Sequence, residues 1–316
     1  MLRKYILFIT VILFSITAII LYGYNRPYSL EPFKNISLFL LICLIISKIL
    51  FQITNGMLLR IVASKFSIKL IKREWFGLPF VTAMGNYITP FSGGMIARAS
   101  YLKYRHNFSY AQFVSVLGAS YLVYFWVAGV AGISTLMLPL GKYDPYWELL
   151  IFFVGVVLVI SFLAVLPAVK IPGKNWVAVS LNNAIDGWTF IKKDPFLLVK
   201  IALFTLVNIF LNGLSFWLAF VALSDSSLSF GTIFLISLFS SFSILVKITP
   251  GNLGISEAII TLSSEILGVG AGLGLLASLL IRAVSLIPIF TLGPIFSFVL
   301  TRELTAHRSK NKSETV

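Results

Sequence analysis

The feature that most restricts this chain is a helix-breaking sequence inside a strongly apolar region. The run from Ile248 to Ala258 reads Ile-Thr-Pro-Gly-Asn-Leu-Gly-Ile-Ser-Glu-Ala. Pro250 removes a backbone donor, and glycines loosen the chain, so backbone groups are freed where lipid cannot satisfy them. We therefore expect a membrane segment that breaks and restarts. The residues assigned to this second break are Thr249, Pro250, Gly251, Asn252 and Gly254.

A similar sequence lies in the first half of the chain. Ile88 to Gly94 reads Ile-Thr-Pro-Phe-Ser-Gly-Gly, with the same three opening residues. The residues assigned to this first break are Thr89, Pro90, Gly93 and Gly94. A charged residue follows each break, Arg98 after the first and Glu257 after the second. One interrupted segment in each half is the sequence pattern that indicates a transporter binding site.

The composition places the whole chain in a membrane. It is 58% hydrophobic and 11% charged, with a mean hydropathy of +0.96. We predict an all-α polytopic protein, a single transmembrane domain over residues 1–316, with about six full crossings and two broken, re-entrant helical hairpins. The predicted crossings are Tyr5–Tyr24, Ile36–Asn55, Phe113–Leu138, Leu149–Val169, Phe196–Leu223 and Ala271–Leu300.

The distribution of basic residues predicts the topology. The net charge of +14 is compatible with nucleic-acid binding, but the cations lie in short loops between apolar runs, where they orient the protein and meet anionic lipid headgroups. Both termini are therefore expected to be cytoplasmic, and we predict no nucleic-acid partner. A surface helix within 57–70 and another over Trp176–Ile191 are expected on the same side; an ordinary basic loop is the alternative for the first.

The two broken segments are expected to enter from opposite sides. Basic clusters border Phe76–Leu102 at both ends, which favours a hairpin that returns to the cytoplasmic side over a single crossing. The segment Phe230–Leu267 follows an outward crossing and so enters from outside. This arrangement predicts an inverted repeat, with halves at about 1–140 and 147–302, followed by a short basic cytoplasmic tail, 303–316.

Four ionisable residues at bilayer depth are the candidate site: Arg98, Lys247, Glu257 and Arg282. Three cations against one acid predict an anionic ligand, since an unpaired charge at this depth is costly. Two interpretations of Arg98 stay open: it pairs internally, for example with Glu257, or it holds a phosphate-like group. Glu257 can also serve its own helix, because an acid is favoured in a first turn.

Enzymatic and metal chemistry find little support in the sequence. The sequence has no Gly-x-Ser-x-Gly motif of hydrolases and no His-Glu-x-x-His motif of zinc proteases. It also has no glycine-rich phosphate-binding loop with a lysine. With one cysteine, Cys43, and two histidines, His106 and His307, the chain offers no His/Cys metal site. We predict no catalytic residue, no metal and no cofactor.

The residues Thr249–Ala258 with Arg282, and Thr89–Gly94 with Arg98, resemble the flippase-like membrane domain of the lysylphosphatidylglycerol synthase/flippase family. The pattern of that family is similar to Pro-Gly-Gly-x-Gly-x-x-Glu-Ala, and this chain has Asn252 in place of the second glycine. The resemblance spans nearly the whole chain. It implies a bacterial or archaeal inner-membrane protein that moves or modifies anionic, aminoacylated or polyprenyl-linked lipids. The synthase domain of bifunctional members is not expected here, so lipid aminoacylation by this chain is not predicted.

The leading hypothesis is a flippase for an anionic or phosphate-bearing lipid. The alternative is a non-catalytic membrane subunit that assists a separate lipid-modifying or glycosylating enzyme. A third hypothesis is an embedded enzyme that uses Glu257 as its acid or base.

Overall fold

The computed structural model describes residues 33, 36–138, 147–166, 170–173, 175–224, 227–246 and 248–313. The described residues form ten α-helices and no strand. The helices are α1 Leu38–Ser64, α2 Lys72–Ile88, α3 Gly93–His106, α4 Tyr110–Met137, α5 Trp147–Val165, α6 Trp176–Lys192, α7 Pro195–Leu223, α8 Phe230–Ser241, α9 Ile255–Ile266 and α10 Ala271–Ser313.

Five of these helices are long and apolar enough to cross a membrane: α1, α4, α5, α7 and α10. They correspond to five of the six predicted crossings, and the sixth, Tyr5–Tyr24, lies outside the described residues. The apolar side chains on α5 are exposed or half-buried except for Phe153, which is fully buried. An apolar surface of this kind suits contact with lipid tails. The all-α, polytopic class is therefore confirmed.

The first broken segment is a helical hairpin. Residues 89–92 separate α2 from α3, and Gly94 at the start of α3 lies against the end of α2: a Cβ built on it would sit 2.8 Å from the backbone nitrogen of Asn86. At the other end of the hairpin, Tyr101 and His106 of α3 bond Glu74 of α2. The two helices therefore run back along each other, while the re-entry of this hairpin into a membrane stays a prediction.

The second broken segment is also a hairpin. The 12-residue helices α8 and α9 pack against each other. The segment that joins them includes two short 3₁₀ turns, Phe242–Leu245 and Pro250–Asn252. A 12-residue helix is about 18 Å long, too short for the roughly 30 Å of a bilayer core. Most of α8 is buried, from Ile233 to Leu238. It is thus an internal half-helix.

The described chain divides into two compact units. The first comprises the residues up to Leu50, with Thr82–Met95 and Leu211–Gly293, and so contains both breaks. Its core includes Phe220 and Leu235, both fully buried.

The second unit comprises Phe51–Val81, Ile96–Phe210 and the residues from Pro294 onward. Here α4 packs against α5 and α6, and Phe80, Phe153 and Ile191 are fully buried. The inverted repeat and the boundaries of its halves stay predictions.

Two expected elements have different bounds in the structure. No separate surface helix occupies 57–70: α1 continues to Ser64, and the chain then turns to reach α2 at Lys72. The long side chain of Arg60, which is exposed, lets the helix run past the apolar run, because such a residue extends its charge toward water. The predicted tail is likewise helical as far as Ser313, as the continuation of α10. A helix does form over Trp176–Lys192, as predicted.

Candidate functional site

The two breaks share one backbone turn. In the first, Pro90 is followed by Phe91 with φ 54° and Ser92 with φ 57°. In the second, Pro250 is followed by Gly251 with φ 56° and Asn252 with φ 57°. Two successive left-handed residues reverse the chain sharply, and the conformation is unfavourable for residues other than glycine and asparagine. The shared Ile-Thr-Pro sequence thus corresponds to a shared local structure.

Asn252 has a structural reason to stand where a second glycine is expected. Asparagine tolerates the left-handed region better than other side chains do. Its amide also donates to the backbone carbonyl of Ser243, with 2.9 Å between the atoms, and reaches the hydroxyl of Ser256 at 3.2 Å. These bonds tie the turn to the end of the preceding helix and to the start of α9.

Glu257 caps the helix that restarts after the second break. It is the third residue of α9, and its Oε2 accepts the backbone N–H of Gly254, the N-cap residue, at 2.7 Å. This reach-back is the glutamate half of a capping box, and it places the carboxylate at the positive end of the helix dipole. The residue is 9% exposed, so its second oxygen needs a partner within the protein.

Arg282 of α10 supplies that partner and also holds the turn. Its Nε donates to Oε1 of Glu257, its Nη2 forms an ion pair with the same oxygen, and its Nη1 donates to the backbone carbonyl of Gly251 at 3.0 Å. The side chains of Arg282 and Glu257 are 15% and 12% exposed. Arg282 therefore fixes the second break onto α10.

Tyr87 brings the first hairpin to the same place. Its ring lies 5.7 Å from the guanidinium carbon of Arg282, a cation–π distance. It also covers Gly251, since a Cβ built there would sit 2.6 Å from the ring carbon Cε1. Tyr87 is three residues before Pro90, so the segments flanking the two breaks meet around Arg282. We name Tyr87, Gly251, Glu257 and Arg282 the break junction.

The four predicted site residues are distributed as follows. Glu257 and Arg282 are together in the break junction, so the positive charge of Arg282 is balanced there. Arg98 lies on α3 in the second compact unit, half-buried, where it interacts electrostatically with Tyr121 of α4. Lys247 lies outside the described residues. The partner that the structure gives to Glu257 is thus Arg282, and both predicted roles of Arg98 stay untested.

A second carboxylate, Glu74, is missing from the sequence-based site. It is fully buried at the base of the first hairpin, where Oε1 accepts the hydroxyl of Tyr101 at 2.8 Å and contacts Nε2 of His106 at 2.9 Å. Its Oε2 accepts the backbone N–H of Ile71 at 2.9 Å, and Arg105 lies 3.6 Å away. Burial by itself raises the pKa of Glu74, but the bonds from His106, Ile71 and Tyr101 outweigh it and lower the pKa below its ordinary value.

Glu74 and Glu257 have the same local geometry. Each is the third residue of a hairpin helix, each uses Oε2 to accept the amide just before that helix, and each presents Oε1 to basic side chains of another helix. A glutamate three residues after a helix boundary is a sequence signal for the cap. Tyr87 had no comparable signal, because its role depends on a residue far along the chain.

The described residues contain no group of three or more His, Cys, Asp or Glu side chains that could hold a metal ion. The break junction offers one carboxyl group, one guanidinium and one phenol. Such a set suits the binding of an anion by the guanidinium.

The family model described as "Lysylphosphatidylglycerol synthase TM region" matches residues 5–293. No curated protein and no solved structure matches the chain.

Proposed function

This chain belongs to the lysylphosphatidylglycerol synthase TM region family, and from that membership we propose that it is a flippase, which moves a phosphate-bearing lipid between the two leaflets of a bilayer. It is a multi-pass membrane protein with a lipid-related function. We propose further that it resides in the inner membrane with both termini cytoplasmic, and that it acts without chemical change to the lipid.

The meeting of the two helix breaks at Arg282 carries this proposal. Backbone that is not helical is tolerated at membrane depth only where protein or a wet cavity satisfies it. In transporters with interrupted helices, half-helix ends near the midplane bind the substrate. Here the short helices α8 and α9 and the turn at Gly251 meet the end of α2 through Tyr87 and Arg282. We propose that both hairpins enter the bilayer and that the lipid headgroup binds at the break junction.

The headgroup is inferred from the chemistry of the cations. A guanidinium can present two parallel N–H groups to a phosphate and is weakly hydrated compared with an ammonium. Arg282 supplies such a guanidinium at the break junction. Anionic phospholipids and polyprenyl phosphates share the phosphate that this side chain can recognise.

Leaflet exchange in reconstituted vesicles tests the proposed function. The purified protein is placed in vesicles with acyl-labelled phosphatidylglycerol, and the fraction of label protected from an impermeant quencher is followed over time. We expect exchange well above that of protein-free vesicles and a loss of about tenfold or more in Arg282→Gln. Arg302→Gln, which removes an exposed arginine of the same helix, is the matched control and should retain the wild-type rate.

Lipid retention distinguishes the headgroup. Native mass spectrometry of the purified protein should show bound anionic or phosphate lipids, and retention should fall from wild type to Arg282→Lys, which keeps the charge but loses the fork, and further to Arg282→Gln. A protein that retains lipid but exchanges none would indicate the accessory-subunit function instead. Retention of mainly zwitterionic lipids, unchanged by both substitutions, would contradict an anionic headgroup.

A further inference from the structure

The carboxylate of Glu257 and a lipid phosphate must compete for one guanidinium. Oε1 of Glu257 accepts a hydrogen bond from Nε of Arg282 and forms an ion pair with Nη2, so it occupies the edge that best matches a two-oxygen ligand. The remaining described contact, from Nη1 to the carbonyl of Gly251, leaves that edge untouched. A phosphate that is to bind Arg282 through this fork must therefore displace the carboxylate.

The groups around Glu257 determine whether its carboxylate has another counter-charge once it leaves Arg282. The charged group that faces it from α10 is Arg282, and the titratable group that faces it from α2 is Tyr87. From the preceding turn it receives the backbone N–H of Gly254. Glu265, the other acid of α9, is exposed and caps Ala271 instead. Among the described residues, Arg282 is thus the one cation that compensates Glu257.

Two anions beside one cation in a low-dielectric site are strongly unfavourable. The addition of a like charge favours the protonated form of a carboxyl group, and so does the loss of its cation. We propose that Glu257 takes up one proton when the lipid phosphate binds Arg282, so that the carboxyl, which becomes neutral, releases the guanidinium to the phosphate. This inference rests on the proposed function. The proton comes from water and forms the O–H bond of the carboxyl; no other covalent bond changes.

The exchange keeps the charge of the break junction constant. The empty site holds one cation and one carboxylate, while the loaded site holds one cation, one phosphate and a neutral acid. Neither form carries a net charge, so either can change conformation in the membrane without the cost of an uncompensated ion. Lipid and proton then load together on the more acidic face and leave together on the more alkaline face. The proton gradient is therefore the energy source for net lipid movement in that direction.

Proton uptake can be measured directly in the binding reaction. A short-chain phosphatidylglycerol is titrated into the purified protein by calorimetry at one pH in two buffers that differ in ionisation enthalpy, since the difference in heat gives the number of protons taken up. The single phosphodiester of this probe does not titrate between pH 6 and 8. We expect about one proton per lipid, and, by linkage, a Kd that rises about tenfold per pH unit across this range.

Variants assign the proton to Glu257. Glu257→Gln keeps the shape of the protonated acid, so it should bind the probe with no proton uptake and with a Kd independent of pH. Glu265→Gln, an exposed acid of the same helix, is the matched control and should take up about one proton as the wild type does.

The outcomes separate this inference from the function on which it rests. Binding by the wild type without proton uptake overturns the inference alone, and this readout does not depend on any variant that folds poorly. Uptake of one proton by both the wild type and Glu257→Gln also overturns it, because the proton then goes elsewhere. No binding of the probe, together with no leaflet exchange, overturns the proposed function.

Discussion

Gly251→Ala tests whether the two hairpins are in contact at the break junction. The residue has φ 56°, a left-handed conformation that costs an L-residue about 1–2 kcal/mol. The added methyl would also sit 2.6 Å from Cε1 of Tyr87 and 3.2 Å from Nη1 of Arg282. Both partners are held in place by neighbouring helices, so overpacking should add about 1–3 kcal/mol. We expect a total loss of about 2–5 kcal/mol in the free energy of unfolding.

Two further variants divide this cost into its parts. Gly268 has φ 73° and nothing within 4 Å of a built Cβ, so Gly268→Ala should lose only the conformational part, about 1–2 kcal/mol. In the double variant Gly251→Ala/Tyr87→Ala the added methyl no longer meets the ring. Its loss of unfolding free energy should therefore be smaller than the sum of the losses in the two single variants. The free energies are measured by titration of mixed micelles with a denaturing detergent. Equal losses for Gly251→Ala and Gly268→Ala, with additive behaviour of the double variant, would refute the contact.

Two other predictions concern the first hairpin. In a protein with Cys43 replaced, single cysteines at Lys72 and Lys103 should both resist an impermeant thiol reagent added outside the cell, because basic clusters place both flanks inside; labelling of either from outside would contradict the hairpin topology. Glu74→Ala should cost about 3–5 kcal/mol, since it leaves the half-buried Arg105 without its counter-charge and the hydroxyl of Tyr101 without its acceptor. Because the pKa of Glu74 is lowered, its contribution is complete above about pH 4.3 and is lost as the pH falls through the folded-state value. The free energy of unfolding of Glu74→Gln, measured over the same pH range, should not show this decrease at low pH. A decrease equal to that of the wild type would show that another group is responsible.

Local rules were sufficient for the breaks and the crossings. A proline with glycine or asparagine behind it frees backbone groups wherever it occurs, so Pro90 and Pro250 could be identified without knowledge of the fold. The length of the apolar runs was likewise sufficient to predict the five described crossings, because a helix needs about 20 apolar residues to span a bilayer. The two glycines of the first break have a different role from the one expected: Phe91 and Ser92 take the left-handed positions, while Gly94 allows the close approach to Asn86.

The partners of charges could not be predicted in this way. The sequence suggests Arg98 as one possible ion-pair partner of Glu257. In the structure the counter-charge of Glu257 is Arg282, 25 residues away along the chain. The burial of Glu74 depends on Tyr101 and His106, which the hairpin brings back 27 and 32 residues later along the chain. Charge pairing at a distance is decided by packing, and a single sequence contains little information about it.

The most direct test of the account is a disulfide between the two breaks in native membranes. With Cys43 replaced, Tyr87→Cys/Gly251→Cys places two thiols where a ring now covers a glycine, and loss of the ring removes the clash that a side chain at Gly251 would otherwise meet. After mild oxidation and denaturation, free thiols are counted by the mass added by a maleimide polymer. We predict loss of both thiols in this variant and none in the control Tyr87→Cys/Gly268→Cys, whose second position has no atom within 4 Å of a built Cβ. Two free thiols in both variants, in protein that remains folded, would contradict the meeting of the breaks at Arg282.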